Sequence, residues 1–187
     1  MRKALDRLYI ISGWLGAMFI ALICGLVFAQ VMLNLVDRMA SLLTGSAIGL
    51  SISSYGDFTG FFLAAASFFA LAYTLRQGGH IRVSLVIQVL SPRWRHFIEI
   101  WCVLLCLLVS GYFAWYLALL VHESFIYNDL SSGIIAVPIW IPQSSVLAGV
   151  IVLGIALADE LFTLITGGEA SYAGKGGNLL EGEGEGS

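Results

Sequence analysis

Apolar residues dominate this chain in four long blocks. Residues 8–36, 58–75, 100–122 and 130–158 contain no Asp, Glu, Lys or Arg. About 20 apolar residues in a helix cross a hydrocarbon core about 30 Å thick, and a helix satisfies its own backbone hydrogen bonds in lipid. The pattern therefore predicts four transmembrane helices, at about 8–36, 58–75, 97–121 and 137–165. Between the second and third, Val83, Val86, Ile87 and Leu90 are apolar, while Ser84, Gln88 and Ser91 form a narrow polar stripe. That spacing predicts an amphipathic helix at about 81–91, lying along the membrane surface and closed by Pro92. From residue 167 to 187 the chain turns Gly- and Glu-rich and reads as a disordered acidic tail.

One uncharged stretch is excluded from the spans. Residues 39–56 hold Ser41, Thr44, Ser46, Ser51, Ser53, Ser54 and three glycines, a poor lipid-facing surface. They read as an interfacial or re-entrant segment on the outer face. Counting them as a fifth span would also move four arginines to the wrong side.

Those arginines set the direction. Cytoplasmic loops of membrane proteins are enriched in Lys and Arg. The N-terminus carries Arg2, Lys3 and Arg7; the second loop carries Arg76, Arg82, Arg93 and Arg95; the tail carries Lys175. Only Arg38 falls on the opposite side of a four-span arrangement with both termini cytoplasmic. The expected fold class is thus an all-α membrane protein, N-in and C-in, with its transmembrane domain over residues 1–166. Composition agrees, at 59% hydrophobic and 11% charged residues, against about 25% charged in soluble domains. Val27-Phe28-Ala29 has a small-residue cleavage pattern, but the apolar run before it is longer than a signal peptide's usual h-region. The first span is expected to stay uncleaved.

Candidate chemistry is sparse. Intramembrane catalysis or proton relay needs ionisable groups at mid-depth, and Glu99, Asp159 and Glu160 all sit near span ends. They read as headgroup-level carboxylates, or as partners of a cytoplasmic Arg. No catalytic role is expected. His80, His96 and His122 fall in a loop and at opposite membrane faces, which does not suit paired haem ligation. Cys102 and Cys106 share one helical turn and do not meet disulfide geometry. With Cys24 they read as small buried hydrophobes, and no metal or cofactor is expected.

Other residues point to contacts rather than chemistry. Gly60, Ala64 and Ser67 line one face of the second span at i, i+4 and i+7; small residues let helices approach closely, within this chain or against a partner. Gln30 and Asn34 share a face near the outer end of the first span, as an interfacial fringe or as polar adhesive. Trp14, Arg93, Trp94 and Arg95 lie at the depth of membrane-interface anchors. Arg82 would point away from the polar stripe of its helix, either snorkelling to phosphates or clamping a headgroup or an acidic side chain. Pro138 and Pro142 bracket Trp140 at the start of the fourth span and predict a rigid, bent helix start.

Two of these segments together carry a resemblance. RQGGHIRVSLV (76–86), following an Ala- and Phe-rich second span, and VPIWIPQ (137–143), opening the fourth, resemble the DctQ-type small membrane subunit of TRAP (tripartite ATP-independent periplasmic) transporters. The likeness covers about residues 8–165. It departs at Ser84, where the family often has an acid, and after WIP, where a Pro-Gly pair is common and only Gly149 stands here. The resemblance implies a subunit of the bacterial inner membrane that braces a large permease subunit. That assembly would take up a small organic acid, driven by sodium and delivered by a periplasmic substrate-binding protein. It further implies that His80, Arg82 and Trp140 contact the large subunit or membrane lipids. No nucleic-acid partner is expected. The alternative reading is a membrane anchor of a haem- or quinone-linked respiratory complex.

Overall fold

The computed structural model describes residues 2–46, 48–76 and 92–166. The interfacial helix expected at 81–91 and the tail from 167 lie outside the described residues. Four long helices account for almost everything else: α1 (Arg2–Thr44), α2 (Tyr55–Arg76), α3 (Pro92–Tyr127) and α4 (Trp140–Ile165). Each is long and apolar enough to cross a membrane. The chain is an all-helical, multi-pass membrane protein.

Helix ends follow local chemistry. Gly45 stops α1 by adopting φ +75°, and its N–H bonds back to Ser41 O at 3.0 Å; a left-handed residue at this place is the usual glycine terminator. Asn128 does the same for α3 at φ +53°, with the Asp129 N–H returning to Ser124 O. Pro92 opens α3, where a missing N–H costs nothing. Pro142 is likewise within the first turn of α4, where its missing N–H breaks no intrahelical bond. α1 runs on past the expected span, so residues 39–44 are its last turns. In the rest of the serine-rich segment, residues 45, 46 and 48–54 are non-helical.

The helices stand in a row rather than a closed bundle, in the order α1, α2, α4, α3. The two central helices run parallel, and each outer helix runs antiparallel to its neighbour. The start of α1 and the end of α4 consequently lie at the same end of the row. Most of the core also lies towards that end. Tyr9, Ala72 and Ala156 form one buried cluster, and Val103, Leu157 and Leu164 form the other; Leu75 packs against both.

Small residues set the spacing. A β-carbon at Gly16 would lie 3.2 Å from Ala66 O, and one at Gly149 would lie 2.7 Å from the backbone of Phe68. Ala65, Ala66 and Ala72 are the buried residues of α2. The face marked by Gly60, Ala64 and Ser67 is not the one used within the chain: Gly60 and Ser67 are exposed and Ala64 is half-buried.

Candidate functional site

Polar side chains gather at the two ends of the row. At the termini end, Arg76 closes α2 and faces two carboxylates from different helices. Its Nη2 donates to Asp6 Oδ1 of α1 at 2.6 Å, and its Nη1 to Asp159 Oδ2 of α4 at 3.0 Å. The guanidinium carbon also stands 5.4 Å from the ring centroid of Tyr9. A planar fork with several donors suits two acceptors at once, which a lysine ammonium serves less well. Tyr9 is fully buried and contributes its ring to this cation–π contact. The Arg76 and Asp159 side chains are 23% and 19% exposed, so the pair is shielded but not dry. One residue along, Glu160 is only 4% exposed. Of the two readings open for Asp159, pairing with an arginine is the one realised. This clasp ties α1, α2 and α4 together.

The opposite end is held by backbone capture. Gln30, buried at 6%, accepts from the Ile52 N–H at 2.7 Å and donates to Asn34 Oδ1 at 3.1 Å. Its role is therefore polar adhesive between α1 and the loop before α2. Further out, Asp37 Oδ1 accepts from the Ile48 and Gly49 N–H groups, both at 2.7 Å. The second loop at this end, residues 128–139, folds on itself. Leu130 and Pro138 form an antiparallel bridge, and the Ser131 N–H donates to Val137 O at 2.8 Å. It docks on the start of α2, where Ser54 Oγ accepts from the Ile135 N–H at 3.0 Å. Gly133 is packed so tightly there that a β-carbon would collide with Asp57 Oδ2.

The residues singled out from sequence are scattered rather than convergent. Trp140 starts α4, half-buried, its ring edge-on to Phe125 at 5.5 Å. Pro138 and Pro142 flank it, half-buried. Ser67 donates to its own helix at Leu63 O. Trp14 is 74% exposed, and Trp94 is exposed with its ring against Phe97. His80 and Arg82 lie outside the described residues, as do the side chains of Arg93 and Arg95 at the start of α3.

Cys24, Cys102 and Cys106 correct an expectation. They are free thiols on exposed, not buried, positions, because a row of helices has too little interior to cover them. Among the described residues no three His, Cys, Asp or Glu side chains gather as metal ligands. His96 and His122 are both exposed on α3, and at 1.5 Å rise per residue they stand about 39 Å apart. Two imidazoles so placed do not share one haem.

Sequence reasoning missed the clasp and the glycine contacts. The signal for the clasp was present: the four-span arrangement alone puts Asp6, Arg76 and Asp159 at one end, with complementary charge. Nothing comparable distinguishes Gly149 or Gly133 from the other glycines of the chain, since close approach is a tertiary property.

At both polar ends the described side chains make structural contacts. Each holds helices or loops in place, and between them the described helices present apolar side chains. No curated protein matches the chain. A family model does match it, over residues 23–167: the DctQ component of tripartite ATP-independent periplasmic transporters. That span takes in the close contacts at Gly149 and Gly133, the polar adhesive at Gln30, and two arms of the clasp. The chain belongs to the DctQ family, the small membrane component of TRAP transporters, a family of transporter subunits rather than enzymes.

Proposed function

We propose that this chain is a static brace for the large permease subunit of a sodium-driven TRAP transporter in a bacterial inner membrane. One observation carries the reading. The helices form an open row whose outer members, α1 and α3, expose apolar side chains along almost their whole length. The described helices offer no file of polar side chains from end to end by which a charged substrate would pass. A rigid, clasped slab with two free apolar flanks suits support of another membrane protein.

In this reading both termini are cytoplasmic, because the basic residues concentrate at that end. The substrate, a small organic acid, arrives on a periplasmic binding protein and crosses through the large subunit. His80, Arg82, Trp140, Pro138 and Pro142 contact the large subunit or interfacial lipid. The small-residue face of Gly60, Ala64 and Ser67, unused within the chain, faces a neighbouring helix.

The test is co-purification and transport. Tagged chain extracted with its large subunit should bring down a many-span permease. Proteoliposomes holding both, with the binding protein, should accumulate a labelled organic acid under an inward sodium gradient. Arg82→Ala should lower co-purification or uptake. Isolation of the chain without a permease, or with a haem Soret band, would overturn the proposal.

A further inference from the structure

Contacts between neighbouring helices fix their relative heights. Gly16 of α1 lies against Ala66 of α2, and Phe68 of α2 lies against Gly149 of α4. Trp140 of α4 meets Phe125 of α3 ring to ring, and Phe68 stacks on Phe113 of α3. The charge-free stretch of each helix fixes a second quantity, the depth it prefers in a bilayer. Its midpoint falls at Leu22 in α1, between Ala66 and Ser67 in α2, at Gly149 in α4 counted from Trp140, and at Gly111 in α3.

These midpoints are not level. At 1.5 Å per residue, Leu22 stands about 9 Å beyond the level of Ala66, on the side away from the clasp. The midpoints of α2 and α4 are nearly level. Gly111 lies about 3–7 Å from the level of Gly149, on the side towards the clasp. Preferred depth therefore slides by about 16 Å across three helix-to-helix spacings, about 27 Å in all.

An upright row cannot satisfy both edges. A core about 30 Å thick, centred on Ala66 and Gly149, ends on α1 near residue 26. Phe28, Val31, Met32 and Leu35, all exposed, would stand beyond it, while exposed Arg7 would fall just within it. On α3 the mismatch is reversed. Phe97 and Trp101 would stand outside at the clasp end, and exposed Glu123 would fall just within at the other. Apolar side chains in water and charges in hydrocarbon are both unfavourable. One rotation in the plane of the row corrects all four ends together.

We infer that the bilayer crosses this row obliquely, with the helix axes inclined by about 30° to the membrane normal in the plane of the row. Transmembrane helices show tilts up to about 40°. The apolar surface thus meets a slanting lipid belt, nearer the clasp on α3 and farther from it on α1. The overshoot of α1 at one membrane face and that of α3 at the other are two edges of a single inclination. The shortest helix, α2 with 22 residues, still rises about 29 Å at this angle, which matches the core. The inclination depends on the chain spanning a membrane, not on the function proposed above.

Nitroxide labels at Cys102 of α3 and at Met32→Cys of α1 test this in proteoliposomes of the full chain. Each is the single cysteine, with the remaining native cysteines replaced by alanine. Both positions are exposed, so a label displaces no packing. Along the helix axes they stand about 45 Å apart, so no upright placement holds both in a core about 30 Å thick. At about 30° their separation along the normal falls to about 25 Å, and both fit. The ratio of collision rates with oxygen and with a water-soluble nickel chelate reports the depth of each label. Both ratios should lie several-fold above that at Leu43→Cys. Native Cys24, labelled in place, should read deeper than Trp14→Cys, because Leu22 rather than Gly16 marks the midplane on α1. The inference is overturned if Met32→Cys or Cys102 meets nickel as freely as Leu43→Cys does, or if Trp14→Cys reads deeper than Cys24.

Discussion

Replacing Gly149 by alanine tests how tightly the two central helices are drawn together. An alanine β-carbon there would lie 2.7 Å from the Phe68 carbonyl carbon, 2.8 Å from its Cβ and 3.0 Å from its carbonyl oxygen. Carbon atoms pack comfortably at about 3.5 Å or more, so α2 and α4 must separate by about 0.8 Å. The obstructing atoms cannot swing aside, since they are backbone and Cβ. A gap of that size forfeits about a quarter to a half of the dispersion attraction between the atoms lining it. Overpacking of this kind costs about 1–3 kcal/mol, partly offset by up to about 1 kcal/mol from the better helix propensity of alanine. Gly154→Ala is the control: it lies on the same helix with open space around its β-position, so it receives only the propensity gain. The two variants should differ by about 1–3 kcal/mol. At about 2–4 °C per kcal/mol for a protein of this size, Gly149→Ala should melt roughly 2–12 °C below Gly154→Ala. Thermal unfolding of the detergent-solubilised chain measures this. Adding Phe68→Ala should not rescue Gly149→Ala, because the clash is not with the ring. A Gly149→Ala protein that melts with or above the control would refute the reasoning.

Further outcomes follow from the two polar ends. Arg76→Gln leaves the Asp6 and Asp159 carboxylates without their shared cation and should destabilise the protein by about 2–3 kcal/mol. Arg76→Lys, which keeps the charge but not the fork, should lose less; equal melting of Arg76→Gln and the unaltered protein would dismiss the clasp. Asp37→Ala removes the acceptor of two loop amides, so hydrogen exchange at Ile48 and Gly49 should quicken on the order of tenfold, with α4 amides unchanged. Gly133→Ala meets only the side chains of Asp57 and Ser54; displacing Ser54 Oγ should weaken the bond it accepts from the Ile135 N–H and quicken hydrogen exchange at that amide. Protection at Ile135 equal to that of the unaltered protein would show that the loop docks by other means.

Much of the architecture was readable without coordinates, for a simple reason. Lipid demands that every spanning segment be long, apolar and internally hydrogen-bonded, so the four blocks had few alternatives to helices. The residues that end those helices were less legible. The charge-free block ending before Asp37 set the first span at 8–36, and Ser41 and Thr44 counted against 39–56 as a span, yet α1 continues as helix to Thr44. Serine and threonine hydroxyls are compatible with helix where they can bond to nearby backbone carbonyls, as Thr74 does to Ala70 O at 3.0 Å. The small-residue face was legible as a pattern, but its neighbour was not. Gly60, Ala64 and Ser67 differ little from Ala65, Ala66 and Ala72 in composition, and only helix rotation decides which set is buried.

The chain's own order of residues determined that it is helical and membrane-spanning, and placed its charges towards the span ends. These are properties of single segments against a uniform solvent, so they are written locally. The tertiary structure alone decided that the helices stand in a row, that Arg76 joins three of them, that Gly149 rather than Gly154 is the tight contact, and that α1 overshoots its neighbour. Each depends on the relative height and rotation of two helices separated by dozens of residues, and no local pattern carries that information.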